Sequence, residues 1–431
     1  MKKLTGFVFI AMLALFCAMA GAAFLSDESV SERERRALAE RPKLDAETYL
    51  SGAYYRAWDD YLADHVPQRL FFIELARKLK DFRGIVREAM LIEAPADIGI
   101  APARGGEDGA ATEDAASDAA TRDESAKRQT LISLRDRVLE VYADDAAARA
   151  RYADAVNRCA KSAPAGMRVY SMLIPMRIEF EEERYRREAD SQKDAISEAY
   201  GAYDARVEKV DAYAWLERHK SEYVYFRTDH HWTALGAYYG MLAFAETAGF
   251  EPVALNAYTE KALPNFLGSL YRLAPSDELA EYPDILSYYL KNGRNNRTDV
   301  YYYDESGVLW SYKNRMIDTA YAKESPDGIG VFLGGDSPFL RVDGDGPEDR
   351  VLAVVKDSYG NAFVPWLAPY FGGILCVDPR SYKEDFAAML AENGVTDLLI
   401  LDYAKILMMP EYADALSGLF PDADAEGAAA E

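Results

Sequence analysis

The chain has 431 residues, half of them apolar, enough for a sizeable core and too apolar for a wholly disordered protein. Its 49 basic and 72 acidic residues leave a net charge of -23. Such a surface repels phosphate backbones and anionic lipid headgroups, and no Lys/Arg-rich patch offsets it, so nucleic-acid binding is excluded.

At the N-terminus, Lys2 and Lys3 precede an uncharged run from Leu4 to Leu25. Two readings fit: a signal peptide with a small-residue cleavage site at Ala18–Ala20, or an uncleaved anchor long enough to span a bilayer. Either keeps the lysines in the cytoplasm and places everything after Leu25 outside it, with the membrane touched only through residues 1–25. Phe16 is too bulky before Cys17 for a lipidation site. The two remaining cysteines, Cys159 and Cys376, either pair or stay as buried thiols. With four histidines and three cysteines in all, no structural zinc site is expected, and nothing calls for a cofactor.

Residues 26–45 are charged and read as a linker. From Ala46 to Met90 the apolar spacing predicts two helices separated at Pro67, with His65 in a capping or core role just before the break. The stretch 94–127 is almost wholly Ala, Gly, Asp, Glu and Ser without an aromatic, and reads as a disordered insert. A long helix is expected near Leu131–Ala160. Four short apolar runs then read as buried strands: Val169–Ile174, Arg350–Val355, Gly372–Asp378 and Asp397–Ala404. Helical patterns separate them, for instance Tyr382–Gly394. The alternation predicts an α/β fold with a parallel sheet flanked by helices, in one domain over 46–420. Residues 250–330 look irregular and tyrosine-rich, suited to decorating the sheet and shaping a cleft. Residues 421–431 form an acidic tail.

Active groups of a parallel sheet gather at the carboxyl ends of its strands. Ser358 lies two residues beyond the strongest strand and opens a helix-like segment, so it is either a nucleophile beside helix N-terminal amides or an N-cap. A serine nucleophile needs a histidine held by a carboxylate. The stretch Asp229-His230-His231-Trp232 offers one, because Asp229 and His231, two residues apart, can point to the same side while His230 faces the other way. A helix follows from about Thr233, with Leu235, Tyr239 and Leu242 on one face and Gly249 as its stop. Catalytic pair, metal site and structural loop all remain open on residue pattern alone; adjacent histidines seldom both reach one ion.

The run TDHHWTALGAYYG resembles the signature of the DHHW family of exported bacterial proteins, which is similar to the SGNH-like domains of the alginate O-acetyltransferases AlgJ, AlgV and AlgX. DHVPQR (Asp64–Arg69), MLIPMR (Met172–Arg177), NFLGSLY (Asn265–Tyr271), GVFLGGDSPF (Gly330–Phe339) and KDSYGNAF (Lys356–Phe363) resemble further family motifs. The resemblance implies an SGNH-hydrolase-like sheet whose catalytic motifs run in the permuted order Asp229, His231, Ser358. Asp357 stands where the pattern would have a glycine or another small residue. Candidates for oxyanion or substrate contacts are the Ser358 and Tyr359 amides, the Asn361 side chain, and Gly334 and Gly335, the glycines reading equally as a tight turn. Ser337, in a GDS block that mimics an SGNH nucleophile, is the second choice, disfavoured by Pro338.

The function implied is acyl transfer outside the cytoplasm, an O-acetyltransferase acting on a cell-surface polysaccharide and supplied by a membrane-bound acyltransferase. The alternatives are a carbohydrate esterase and a non-catalytic polysaccharide-binding or assembly protein of the same fold.

Overall fold

The computed structural model describes residues 21, 23–24, 30–31, 36–37, 41–43, 49, 53–67, 89–95, 128–293, 297–324 and 328–420. The signal or anchor segment, most of the linker and insert, the helix expected after Pro67 and the acidic tail lie outside the described residues. Among the described residues no helix is long and apolar enough to cross a membrane.

The chain divides into two compact units. The smaller draws on Met1–Ala89, Thr112–Glu124 and Pro275–Glu281. Its principal described element is α1 (Ala53–His65), which ends before Pro67. His65 is buried at the end of α1, with Nδ1 2.8 Å from the Tyr61 carbonyl oxygen one turn back.

The larger unit draws on Met90–Ala111, Ser125–Ala274 and Tyr282–Glu431. It opens with a three-stranded antiparallel sheet of β1 (Met90–Pro95), β2 (Arg128–Ser133) and β3 (Val138–Glu140). The long helix expected from Leu131 is therefore two strands and then α2 (Ala146–Ser162). The division is local. Leu134 N donates to Arg137 O to close a turn between the strands. Asp145 then caps α2 by accepting from the Ala147 and Ala148 amides at 3.0 Å each, so no helix can run through from Leu131.

Next come β4 (Arg168–Ile174), α3 (Gln192–Gly201), β5 (Val207–Val210), α4 (Ala212–Arg218) and α5 (Ala234–Ala248). A ribbon of β6 (Tyr258–Phe266) and β7 (Asp284–Lys291) brackets the short helix α6 (Ser269–Leu273). The remaining strands are β8 (Val300–Tyr303), β9 (Leu309–Lys313), β10 (Phe339–Asp343), β11 (Val351–Lys356), β12 (Gly373–Val377) and β13 (Asp397–Tyr403). Between and after them lie α7 (Gly360–Phe363), α8 (Phe386–Glu392) and α9 (Pro410–Gly418).

The central sheet has eight strands in the order β9-β8-β10-β12-β11-β13-β4-β5. The five from β12 to β5 are parallel, and β10, β8 and β9 add an antiparallel edge. All four strands read from the sequence are present and parallel to one another. Their continuous apolar character matches burial on both faces: every residue of β12 and β13 is buried, as is all of β11 after Val351. Each aliphatic side chain so buried contributes about 1.5–3 kcal/mol. The tyrosine-rich region is more regular than its composition suggested. In β8, Val300 and Tyr302 point inward while Tyr301 and Tyr303 are half-exposed, a strand alternation hidden by the uniform tyrosines.

Cys159 in α2 and Cys376 in β12 are both buried and unpaired. Burial pushes the Cys376 thiol up to about 12, and the Cys159 thiol is raised for the same reason. We expect neither to react with a thiol reagent in the native chain and both to react after denaturation without reductant. Failure of the pair to appear without reductant would mean a disulfide.

Candidate active site

The residues from Val224 to Thr233 form a tight turn that delivers three side chains to one place. Tyr225 pairs with Trp232 across it, Phe226 N donates to His231 O at 3.2 Å, and Thr233 N donates to Val224 O at 2.9 Å. Thr233 caps α5, its hydroxyl accepting from the Gly236 amide at 3.2 Å, and Gly249, at φ 74°, ends the helix. Both boundaries follow the sequence pattern. Leu235, Tyr239 and Leu242 share a face of the helix as its period requires, but α5 is buried nearly all round, and Leu235 and Leu242 lie on its partly exposed side. Beneath the turn, the fully buried Asp284 at the start of β7 accepts from the Arg227 amide at 2.9 Å and the Thr228 amide at 2.7 Å. It also accepts from the Thr228 hydroxyl and the Tyr223 phenol.

Asp229 is 2 % exposed. Its Oδ1 lies 2.6 Å from His231 Nδ1 and accepts from the His231 amide at 3.0 Å, while Oδ2 accepts from the Ser269 amide at 2.9 Å. The approach of Ser269 requires Gly268 before it: a Cβ there would lie 2.3 Å from Asp229 Cβ and 2.4 Å from Oδ2. His231 Nε2 is 2.7 Å from Ser358 Oγ. The three residues paired from spacing and resemblance thus form one continuous hydrogen-bonded chain. Burial alone would raise the Asp229 carboxyl, but the charge of His231, its hydrogen bond, His230 and the Ser269 amide hold it well below the usual carboxylate range.

His230 does not turn away from its neighbour. Its ring centroid is 3.9 Å from that of His231, and Nδ1 is hydrogen-bonded to Ser269 Oγ at 2.6 Å. Loss of hydration, aided by His231, pushes its pKa down to about 4, so it stays neutral at physiological pH. The ligand atoms of Asp229, His230 and His231 lie within 4.8 Å of one another. Both Asp229 oxygens and both His231 nitrogens are already engaged, so a metal would have to break the chain to Ser358.

Ser358 follows β11 directly after Asp357. The acid is a staple rather than an obstruction: Oδ1 accepts from the Tyr359 amide and Oδ2 from the Tyr403 amide, each at 2.8 Å, tying the serine turn to the end of β13. Burial pushes Asp357 up to about 6 and, reinforced by Asp357, pushes its neighbour Asp402 up to about 8. On the other side, the fully buried Lys356 donates to Asn361 Oδ1 at 2.6 Å, and Asn361 Nδ2 donates to Asp336 Oδ1 at 2.8 Å.

These contacts sort the remaining candidates. The Tyr359 amide is committed to Asp357, and its phenol donates to the His230 carbonyl. The Asn361 side chain is committed at both ends. Gly334 and Gly335 form a tight left-handed turn, at φ 76° and 89°, and the Gly335 amide donates to Phe332 O at 3.1 Å. The amides of Ser358 and Gly334 donate to no acceptor among the described residues. Ser337 is buried and donates to the Phe339 carbonyl, while the His231 ring addresses Ser358. Asp284 and Asp336 were missed, since each acts across tens of residues, and Lys356 because nothing local marks it as buried against Asn361. Gly268 and Ser269 lay inside the motif NFLGSLY without an assigned role.

Fold and site together define an α/β protein with a mostly parallel central sheet, in which an Asp–His element precedes in the chain the serine that it contacts. Residues 94–377 match the family model described as DHHW protein, and the chain belongs to that family. Among solved structures it is similar to a DHHW family protein from Eubacterium siraeum, with TM-score 0.60 and 25 % identity, covering 68 % of this chain and 96 % of that one. It is also similar to Bacillus cereus PatB1, solved with a sulfonyl adduct, at TM-score 0.55 and 20 % identity over 65 % and 96 % of the two chains. The O-acetyltransferase domain of Pseudomonas putida AlgJ aligns at TM-score 0.37 and 14 % identity, over 66 % and 96 %. No curated protein matches the sequence significantly.

Gly268→Ala should displace Asp229, abolish the low-field proton resonance of its bond to His231 and destabilise the fold by about 1–3 kcal/mol. A retained resonance at wild-type stability would contradict the close approach. Asp357 and Asp402, both raised, hold more protons in the folded chain than in the unfolded one between roughly pH 4 and 8, so the contribution of these two groups to stability falls as pH rises through that window. Asp402→Asn should flatten the decline in Tm between about pH 6 and 8, and an unchanged slope would count against the buried pair.

Proposed function

We propose that the chain is an exported Ser–His–Asp acyl-transfer enzyme, an O-acetyltransferase acting on a cell-surface polysaccharide. The observation that carries this reading is the unbroken contact from Asp229 through His231 to Ser358, at 2.6 and 2.7 Å, at the carboxyl ends of the parallel strands. The resemblance of its motifs to O-acetyltransferases supports the acetyl group, and the Lys-flanked apolar N-terminus supports export. Acetyl-CoA is not available outside the cytoplasm, so a membrane-bound acyltransferase is the proposed donor.

His231 Nε2 takes the Ser358 proton as Oγ attacks the acyl carbonyl, and Asp229 orients the imidazole and stabilises the imidazolium. The Ser358 amide is the donor best placed for the tetrahedral oxyanion. Collapse expels the donor alcohol, which takes its proton from His231, and leaves an acyl-serine. A sugar hydroxyl then gives its proton to His231, attacks the acyl carbon and departs as the ester, returning Ser358 to its starting state. A neutral His230 is suited to lie against His231 without repelling the imidazolium.

Release of 4-nitrophenol from its acetyl ester tests the reading. Ser358→Ala and His231→Ala should each lower kcat by about 10³-fold or more, whereas His230→Ala should cost only several-fold. An aromatic sulfonyl fluoride should inactivate the wild type with one adduct on Ser358. Turnover equal in the wild type and both variants would overturn the assignment, and equal collapse of both histidine variants would favour a metal site. Acetylated glycan rather than free acetate, with polysaccharide present, separates the transferase from an esterase.

A further inference from the structure

β9 is the outermost strand of the central sheet, and its hairpin with β8 carries exposed apolar side chains at Leu309, Trp310 and Tyr312, with Trp310 39 % exposed. Between this hairpin and the turn at residues 333–337 lies a cleft with about 250 Å³ of empty space, part of it open to solvent. Tyr302, Trp310, Lys313, Tyr321 and residues Gly334–Ser337 line it, and its interior admits a group about the size of one water molecule. Leu333, Gly334 and Gly335 are all left-handed, at φ 56°, 76° and 89°. For the buried Leu333 this is a strained conformation, of the kind that concentrates at binding and catalytic sites.

Tyr302 makes the cleft more than a surface dent. The residue is 4 % exposed and its hydroxyl has no hydrogen-bond partner, a state that buried polar groups in native proteins rarely keep without a ligand or water. Its ring lies 5.8 Å from that of Trp310. The charge in the cleft is compensated: Lys313 Nζ donates to Asp318 Oδ2 and to the Tyr321 hydroxyl, each at 3.0 Å, and Asp336 is held by Asn361 and Arg380. An orphan hydroxyl, a part-exposed indole and no free cation among the lining residues described suit an uncharged polyhydroxy ligand, and the chain's net charge of -23 disfavours an anionic one. Asp336 joins the cleft to the serine turn, since Asn361, which it binds, lies three residues beyond Ser358.

We infer that this cleft is a sugar subsite, in which one hydroxyl or hydroxymethyl group of a neutral pyranose bonds to Tyr302 while the ring lies against Trp310. It rests on the acyl-transfer reading for its purpose, presentation of an acceptor glycan, but the binding itself needs no chemistry.

Calorimetric titration of the full chain with cellopentaose, maltopentaose and chitopentaose, and with trigalacturonate as the anionic comparison, tests it. Saturable binding of at least one neutral probe is expected, at least tenfold weaker in Trp310→Ala. Tyr302→Phe, which removes only the orphan hydroxyl, should weaken binding threefold to tenfold with Tm unchanged or raised. Absence of binding by all three neutral probes, equal affinity in both variants, or preference for trigalacturonate overturns the subsite. Ester turnover without glycan binding removes the subsite alone, and glycan binding without ester turnover removes only the acyl-transfer reading.

Discussion

Two turns more than a hundred residues apart are locked face to face, and the geometry of the site follows from that lock. Trp232 Nε1 donates to the Tyr359 carbonyl at 3.0 Å, and the Tyr359 phenol donates back to the His230 carbonyl. Both rings are fully buried. Side chain meets backbone in each direction, so the spacing between the DHHW turn and the serine turn is set by two buried, rigid rings, each bonded to the main chain of the opposite turn. The short contact between His231 and Ser358 sits between these two bonds. Losing either would strand a buried polar group, at about 1–3 kcal/mol, and would loosen a spacing that the proposed acyl-transfer chemistry needs held to a fraction of an ångström.

The same interior drives neighbouring acids in opposite directions. Asp229 is surrounded by histidines and an amide donor and stays ionised, whereas Asp357 and Asp402 share a buried region and are pushed toward their neutral forms. Partners, more than depth, decide the sign. A carboxylate that stays ionised against a histidine and carboxyls that brace a turn thus coexist within one core.

Much of this was legible in the chain. Apolar runs flanked by turn signals gave the four buried strands, because parallel strands covered on both faces must be apolar throughout. Thr233 and Gly249 marked the ends of α5 through ordinary capping chemistry. The i, i+2 spacing of Asp229 and His231, with Ser358 at a strand's carboxyl end, singled out three side chains that lie in one hydrogen-bonded chain. What was hidden is long-range or context-bound. Nothing local says that Asp284 will hold the amides of Arg227 and Thr228, or that Asp357 will staple two turns. The strands around Leu131 were masked by a helical spacing that the Asp145 cap interrupts, and β8 by tyrosines that sit on both of its faces.

The antiparallel pairing of β1 with β2 has a consequence for how such chains vary. Pro95 lies opposite Arg128, so the hairpin holds the two ends of the connecting segment 96–127 side by side whatever its length. Closing a longer loop between fixed neighbours costs only about 0.6 kcal/mol for each doubling. This point in the fold can therefore absorb insertions and deletions at little thermodynamic penalty, leaving the register of every strand behind it untouched. Homologues should differ in length here far more readily than between β11 and Ser358, where Asp357 alone spans the connection.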